Sequence, residues 1–319
     1  MPGNRGLADH TARQSGLTRA EDSSETVSQQ NIPPVRPRLP VLDAPPPPSL
    51  ADAANLTSTA PWTVLGSVLL RAQQGDLRAV EVLPELMMRD NGALVWNACI
   101  QLIGFAGCRS FVLDTAQRFL SNPNDLGVQW YIADMLRNGC TLRAVAPLLD
   151  LHAAATDQDA RRHIEHCLST VLEEEPGDLD QGPEEHEVPD PDYPEPFTEY
   201  RTVLDRAGYT EQVRAVSAQV ARRLASPDQP VTAGQALDLP GLALRLHARI
   251  GSGAENSSRM EWERICFEAS TGINCTDFYK EGNLQRLAAL AILEGFLDSR
   301  AAARFELRIR YFFGHPIET

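Results

Sequence analysis

The sequence predicts an all-α protein in which an array of paired helices precedes a second α-helical lobe. Three observations support this prediction. Helix-spaced apolar residues recur at a constant period between about residues 76 and 172. An acidic, proline-rich segment then interrupts the pattern, and helical spacing resumes near residue 200. The 43% hydrophobic content is sufficient for a sizeable core.

The period of the array is visible when the sequence is aligned with itself. Shifting DNGALVWNACIQLIGFAG by 33 residues places Val95 on Val128 and Ile103 on Leu136. A further shift of about 32 residues places Ile132 on Ile164. Self-similarity at this period, with helical spacing inside each unit, indicates stacked helix pairs that bury a continuous core.

This pattern resembles the HEAT class of helical repeat, with units shorter than is usual in that family. The resemblance implies HEAT-like repeats over residues 61–172. The first helix is expected near Trp62, with Val64 and Val68 on its buried face. The second helix is expected to begin at Asp76, and Pro84 is expected to kink it.

Two segments are predicted to lack regular structure. Residues 1–60 show neither helical nor strand periodicity and are rich in proline, which indicates a disordered leader. Residues 173–199 form an acidic, proline-rich linker. Between residues 173 and 200 there are twelve acidic residues and six prolines, with no lysine or arginine.

Composition excludes several classes of function. The net charge of −14 argues against a nucleic-acid partner and favours a basic protein partner. No run approaches the roughly 18 apolar residues that a membrane span requires, so we expect no membrane partner. The N-terminus has no apolar core typical of a signal peptide, and a cytoplasmic location is expected. The six cysteines form no CxxC pair and are predicted to be small buried hydrophobes.

The sequence contains no recognisable catalytic motif. The chain has no GxSxG elbow, Walker loop or strand-linked dinucleotide motif, so no enzyme activity and no cofactor are expected. His163, His166 and Cys167 could share one side of a helix, with Glu165 and His152 possible neighbours. Structural zinc normally needs four ligands. Because His163 and Cys167 occupy core or flanking positions in the repeat register, the sequence predicts no metal site.

The C-terminal lobe, residues 200–319, is predicted to be helical. Asn283 is expected to begin a helix, LQRLAALAILEGFL, that is apolar nearly all round from Leu287 to Leu293. Such a helix is expected at the centre of a core.

The C-terminal tail concentrates aromatic residues next to charged ones. Arg310, Tyr311, Phe312 and His315 are the candidate partner-binding residues, because aromatic residues and arginine dominate interface hot spots. The alternative is that the tail folds its rings into the core, with Gly314 turning the chain.

Residues 277–317, and RYFFGHPI in particular, are similar to the C-terminus of a family of bacterial immunity proteins, the one numbered forty-seven. These proteins occur in polymorphic and contact-dependent toxin systems. One departure is Arg308, where the resemblance leads us to expect glycine.

The resemblance implies an immunity protein that binds a cognate toxin domain and neutralises it by occlusion, and the acidic net charge favours a basic toxin domain. No toxin-contact residue follows from it. Two other hypotheses stay open: a HEAT-like scaffold or regulator unrelated to toxins, and an enzyme.

Overall fold

The structure is a computed structural model that describes residues 49, 52–90, 92–120, 126–172, 206–226, 228–253, 258–280 and 283–318. The predicted acidic linker and most of the predicted leader lie outside these residues. Within the described residues the chain is all-α, as the sequence predicts, with eleven α-helices and six strands of two residues each.

The N-terminal half contains seven of these helices. They are α1 (Pro61–Gln73), α2 (Leu83–Arg89), α3 (Ala93–Ala106), α4 (Arg109–Leu120), α5 (Leu126–Asn138), α6 (Val145–Ala154) and α7 (Gln158–Leu172). Helix α5 packs between α3 and α7, and α4 and α6 pack against the same group. Helices α3, α5 and α7 begin 33 and 32 residues apart. Their HEAT-like character stays a prediction.

Apolar positions that the period aligned lie in the core. Ile103, Leu136, Ile132 and Ile164 are all fully buried, and so is Val68 in α1. The expected kink at Pro84 is wrong. Pro84 lies in the first turn of α2, after a 3₁₀ helix at Leu77–Val82. Proline is well tolerated there, because the first-turn N–H groups have no partner within the helix.

The C-terminal lobe has four helices: α8 (Arg206–Arg223), α9 (Leu239–Ser252), α10 (Ser258–Thr271) and α11 (Arg286–Leu297). The expectation that the apolar helix after Asn283 is central is wrong. Asn283 lies in a strand, and α11 buries only a stripe formed by Ala289, Leu293 and Phe296. Leu287 is 85% exposed.

Helix α10 is the central helix of this lobe, although its sequence contains several charges. Glu263 and Arg264 are buried there. Arg249 donates to Glu263 at 2.7 Å, and Arg264 donates to Glu268 at 2.7 Å. These ion pairs compensate for the cost of burying charge, which a hydrophobicity pattern cannot show.

The lobe contains three tight β-hairpins: two connect successive helices, and the third follows α11. Strand β1 (Val231–Thr232) pairs with β2 (Gln235–Ala236), β3 (Tyr279–Lys280) with β4 (Asn283–Leu284), and β5 (Tyr311–Phe312) with β6 (His315–Pro316). In the third hairpin, Phe313 and Gly314 have φ values of 49° and 79°. Two consecutive positive φ angles are typical of the two-residue turn that fits twisted strands. Gly314 therefore turns the chain, as predicted.

Two of the hairpins bind the C-terminal ends of helices. Ala233 donates its backbone N–H to the carbonyl of Thr170 in α7, at 2.9 Å. Phe313 donates in the same way to Ala269 in α10, at 2.7 Å. The last carbonyls of a helix have no partner within it, so each hairpin satisfies groups that burial would otherwise leave unpaired.

The two halves of the described chain share one hydrophobic core. Trp262 of α10 donates its indole N–H to the side-chain oxygen of Asn138, at the end of α5, at 2.9 Å. Val231 donates its backbone N–H to the Cys140 carbonyl at 2.8 Å. The predicted array and lobe are therefore continuous in packing.

Arg308 offers a test of local backbone strain. This exposed residue has φ of 81°, a left-handed conformation that L side chains adopt at a cost of about 1–2 kcal/mol. Glycine avoids that cost but loses more entropy on folding. We expect Arg308→Gly to raise the free energy of unfolding by about 0.5–1 kcal/mol, measured by urea denaturation. The control is Arg304→Gly, at the end of a 3₁₀ helix, which should give no gain. A loss of stability in Arg308→Gly would contradict the assigned strain.

Candidate functional site

The four tail residues that were predicted to bind a partner contact other parts of the same chain. Tyr311 and Phe312 are buried in the core. His315 donates from Nε2 to the Gln73 carbonyl at 3.0 Å and lies against Gly75. Their positions match the alternative interpretation, in which the tail packs into the core. A partner-binding role for these residues stays a prediction.

Arg310 inserts its guanidinium between the C-terminal ends of α3 and α5. It donates to the carbonyls of Gly104, Phe105, Gly107 and Asn138, with distances of 3.2 Å to Phe105, 3.1 Å to Gly107 and 3.5 Å to Asn138. Burial lowers the pKa of Arg310, but a guanidinium stays protonated at neutral pH. Its positive charge therefore faces the negative ends of two helix dipoles.

Apolar surface in the N-terminal half is supplied by exposed and half-buried side chains near the starts of α3 and α5 and on α7. We call it the aromatic face and define it as Leu94, Trp96, Trp130, Tyr131 and His163. Leu94 is 63% exposed and Trp130 is 39% exposed. The rings of Trp96 and Tyr131 have centroids 5.7 Å apart, and Trp130 stacks on His163 at 4.3 Å.

Contacts along the helices show how the sequence creates this face. Near their starts, Trp96 of α3 meets Tyr131 of α5, and near their ends Gly104 meets Asn138. Helices α3 and α5 therefore run in the same direction. The C-terminal ends are covered by Arg310 and α10, whereas Leu94 and Trp130, in the N-terminal halves, are exposed among the described residues.

Next to the aromatic face, Asp134 of α5 meets His163 and Cys167 of α7. His163 Nε2 lies 3.1 Å from Asp134 Oδ1, and Cys167 Sγ lies 3.7 Å from His163 Nε2. The distance between Cys167 Sγ and Asp134 Oδ1 is 3.8 Å. We call these three residues the Asp–His–Cys cluster. Arg137 forms an ion pair with Asp134 Oδ1 at 2.8 Å.

The electrostatics of the cluster favour a charged Asp134. Burial raises its pKa, but the positive charges of Arg137 and His163 outweigh burial and hold the pKa well below its usual range. Burial lowers the pKa of His163, whereas its interactions with Cys167 and Asp134 raise it, with a result of about 10.

The geometry does not match a nucleophilic relay. In such a relay one imidazole nitrogen faces the nucleophile and the other faces the carboxylate. Here Nε2 of His163 faces both Cys167 and Asp134. Two other thiols are poorly activated, because burial raises the pKa of Cys99 to about 12 and that of Cys275 further.

Asp134 was not among the metal-ligand candidates predicted from the sequence, because it lies 29 residues before His163. The repeat register contained the signal, since successive equivalent helices are expected to touch. Two other residues that the sequence offered for a metal site, His152 and Glu165, form a separate buried pair. His152 Nε2 lies 2.9 Å from Glu165 Oε1. His166 is not among the residues whose ligand atoms converge in the described part of the chain. The cysteines of that part are free thiols, and the prediction that they are buried holds for all but Cys108, which is half-buried.

The structure predicts a large stability cost for replacing Arg310. Arg310→Met removes the donors from the ends of α3 and α5 and leaves carbonyls buried without partners, at about 1–3 kcal/mol for each group left unsatisfied. We expect a loss of about 3 kcal/mol in the free energy of unfolding, measured by urea denaturation. Arg300→Met, at an exposed position, is the control and should change little. A loss below about 1 kcal/mol for Arg310→Met would contradict the proposed bridging role.

Comparison with protein-family models, with curated proteins and with solved structures finds no match to this chain. Among the described residues, no helix has both the length and the apolar character needed to cross a membrane.

Proposed function

We propose that this chain is an immunity protein that binds a cognate toxin domain and neutralises it by occlusion. The observation that supports binding best is the aromatic face, which presents apolar and aromatic side chains from three adjacent helices. Tryptophan and tyrosine are enriched among residues that dominate the energy of protein interfaces. Side chains held on packed helices also lose little conformational freedom when they bind.

The composition of the face resembles that of an interface centre. Leu94, Trp96, Trp130 and Tyr131 supply apolar surface, and the ion pair between Asp134 and Arg137 lies at its border. An apolar centre with a polar rim is the usual anatomy of a protein–protein interface. Occlusion needs only such a shaped surface and no catalytic group.

Net charge supports a basic partner. The chain has a net charge of −14, and twelve of its acidic residues fall between residues 173 and 200. An acidic protein attracts a basic domain over distances near the Debye length, which raises the association rate and disfavours acidic competitors.

The proposal that the partner is a toxin rests on the resemblance of residues 277–317 to immunity proteins. The most specific part of that resemblance, RYFFGHPI, includes Arg310, which holds the ends of α3 and α5. The tail motif would therefore contribute to toxin binding indirectly, by fixing the helices whose other halves form the aromatic face.

A substitution on the face tests this function. Each open reading frame that neighbours this gene is tested for toxicity and co-expressed with the wild-type chain or with Leu94→Asp, and growth and co-purification are measured. Leu94 is the second residue of α3, where an acidic side chain suits the helix dipole. We expect wild type to rescue growth and to co-purify with the toxin, and Leu94→Asp to lose at least tenfold in affinity, or about 1.4 kcal/mol.

Leu287→Asp is the matched control, because Leu287 is the second residue of α11 and is also exposed. It should rescue growth as wild type does. Full rescue by Leu94→Asp would exclude the aromatic face. Failure of the wild-type chain to rescue, or to bind any toxin encoded nearby, would exclude immunity. Recovery of a host complex instead would favour the HEAT-like scaffold.

A further inference from the structure

We propose that Asp134, His163 and Cys167 form a binding site for a divalent transition metal of the zinc class. This inference does not depend on the proposed immunity function, because it rests on the geometry and chemistry of the three side chains alone.

The three ligand atoms already lie at the corners of a suitable triangle. Its sides are 3.1 Å from His163 Nε2 to Asp134 Oδ1, 3.7 Å from that nitrogen to Cys167 Sγ, and 3.8 Å from the sulfur to the oxygen. Zinc binds nitrogen and oxygen at about 2.0–2.2 Å and sulfur at about 2.3 Å. Tetrahedral angles then separate the ligand atoms by about 3.3–3.6 Å. The observed triangle needs adjustments of only a few tenths of an ångström.

The ligand types select the metal class. Imidazole and thiolate together favour zinc and its neighbours cobalt, nickel and copper, whereas magnesium and calcium prefer ligand sets made of oxygen. Imidazole nitrogen, thiolate sulfur and carboxylate oxygen are each established zinc ligands.

The helices fix these ligands before any metal binds. His163 and Cys167 are four residues apart on α7, so they lie on one side of adjacent turns. Asp134 faces them from α5, which packs against α7. Trp130 stacks on the imidazole with an interplanar angle of 12° and restricts its orientation. Outer contacts of this kind orient metal ligands and tune their affinity.

Arg137 limits the affinity of the site. Its guanidinium binds the same oxygen, Oδ1 of Asp134, that faces the other two ligand atoms. A metal must share this oxygen with Arg137, or the carboxylate must turn to present its other oxygen. We therefore expect weaker binding than at a structural site with four protein ligands.

Three protein ligands leave one position of a tetrahedral metal open. The side chain of Asp134 is 30% exposed and that of His163 is 17% exposed, so solvent reaches the border of the cluster. In the isolated chain water would complete the coordination. Because His163 also belongs to the aromatic face, a metal bound here would adjoin the surface that we propose for partner binding.

Cobalt(II) is the probe that tests the site, because its spectrum reports both the thiolate bond and the coordination number. The full-length chain is purified reduced and free of metal, then titrated with cobalt(II) at about pH 8, since metal binding displaces protons from thiol and imidazole. We expect a cobalt–thiolate charge-transfer band and the intense visible bands of four-coordinate cobalt. Both should saturate near one equivalent and should be lost when zinc is added.

Variants identify the ligands. Cys167→Ser should abolish the charge-transfer band, and Asp134→Asn should weaken cobalt binding at least tenfold. Cys108→Ser is the matched control, because this partly buried cysteine lies outside the cluster, and it should retain the wild-type spectrum. Circular dichroism of each variant verifies that it is folded. Asp134→Asn provides the test if Cys167→Ser does not fold.

Two results would overturn the inference. One is the absence of four-coordinate cobalt bands in the wild-type chain, which would leave the three residues as a hydrogen-bonded cluster only. The other is a spectrum that survives in both folded Cys167→Ser and folded Asp134→Asn. Leu94→Asp should bind cobalt as wild type does, so failure of toxin binding and failure of metal binding are separate outcomes.

Discussion

The arrangement of the two halves of the described chain depends on the contact between the positively charged Arg310 guanidinium and the C-terminal ends of α3 and α5. These helices approach so closely that a Cβ at Gly104 would lie 2.6 Å from the Cβ of Asn138. Helices that run in the same direction bring the negative ends of their dipoles together, which is unfavourable without a cation. A guanidinium offers five donors in a fixed plane and so can bind carbonyls of both helices at once. Arg310, close to the C-terminal end of the described residues, thereby holds together two helices of the N-terminal half.

The hairpins solve the same problem with backbone groups. A buried helix end leaves carbonyls that need donors, and the turn at Phe313 and Gly314 supplies two N–H groups to α10. The turn at Ala233 and Gly234 does the same for α7, which belongs to the other half of the chain. These short strands contribute little as sheets. Their importance is that they satisfy helix ends where the core is continuous and water is excluded.

Periodicity predicted the parts of the fold that depend on local apolar spacing. The all-α class, the buried faces of α1, α5 and α7, and the turn at Gly314 follow from residue spacing and glycine chemistry. The pattern failed where burial depends on pairing between distant residues. The charges of α10 become compatible with the core only because Arg249 reaches Glu263. The Asp–His–Cys cluster likewise forms only because α5 packs beside α7. In the sequence, Asp134 lies 29 residues from His163 and 33 residues from Cys167.

The same constraint explains why the candidate surface lies where it does. Because Arg310 and α10 occupy the C-terminal ends of α3 and α5, carbonyls are buried there and side chains such as Trp262 bind within the core. The N-terminal ends of these helices receive no such cover from the described residues, so Leu94 and Trp130 remain exposed. A surface fixed from behind in this way loses little entropy on binding. Hence the aromatic tail and the aromatic face differ in position: the tail binds the ends of α3 and α5, and the face is the surface that we propose for a partner.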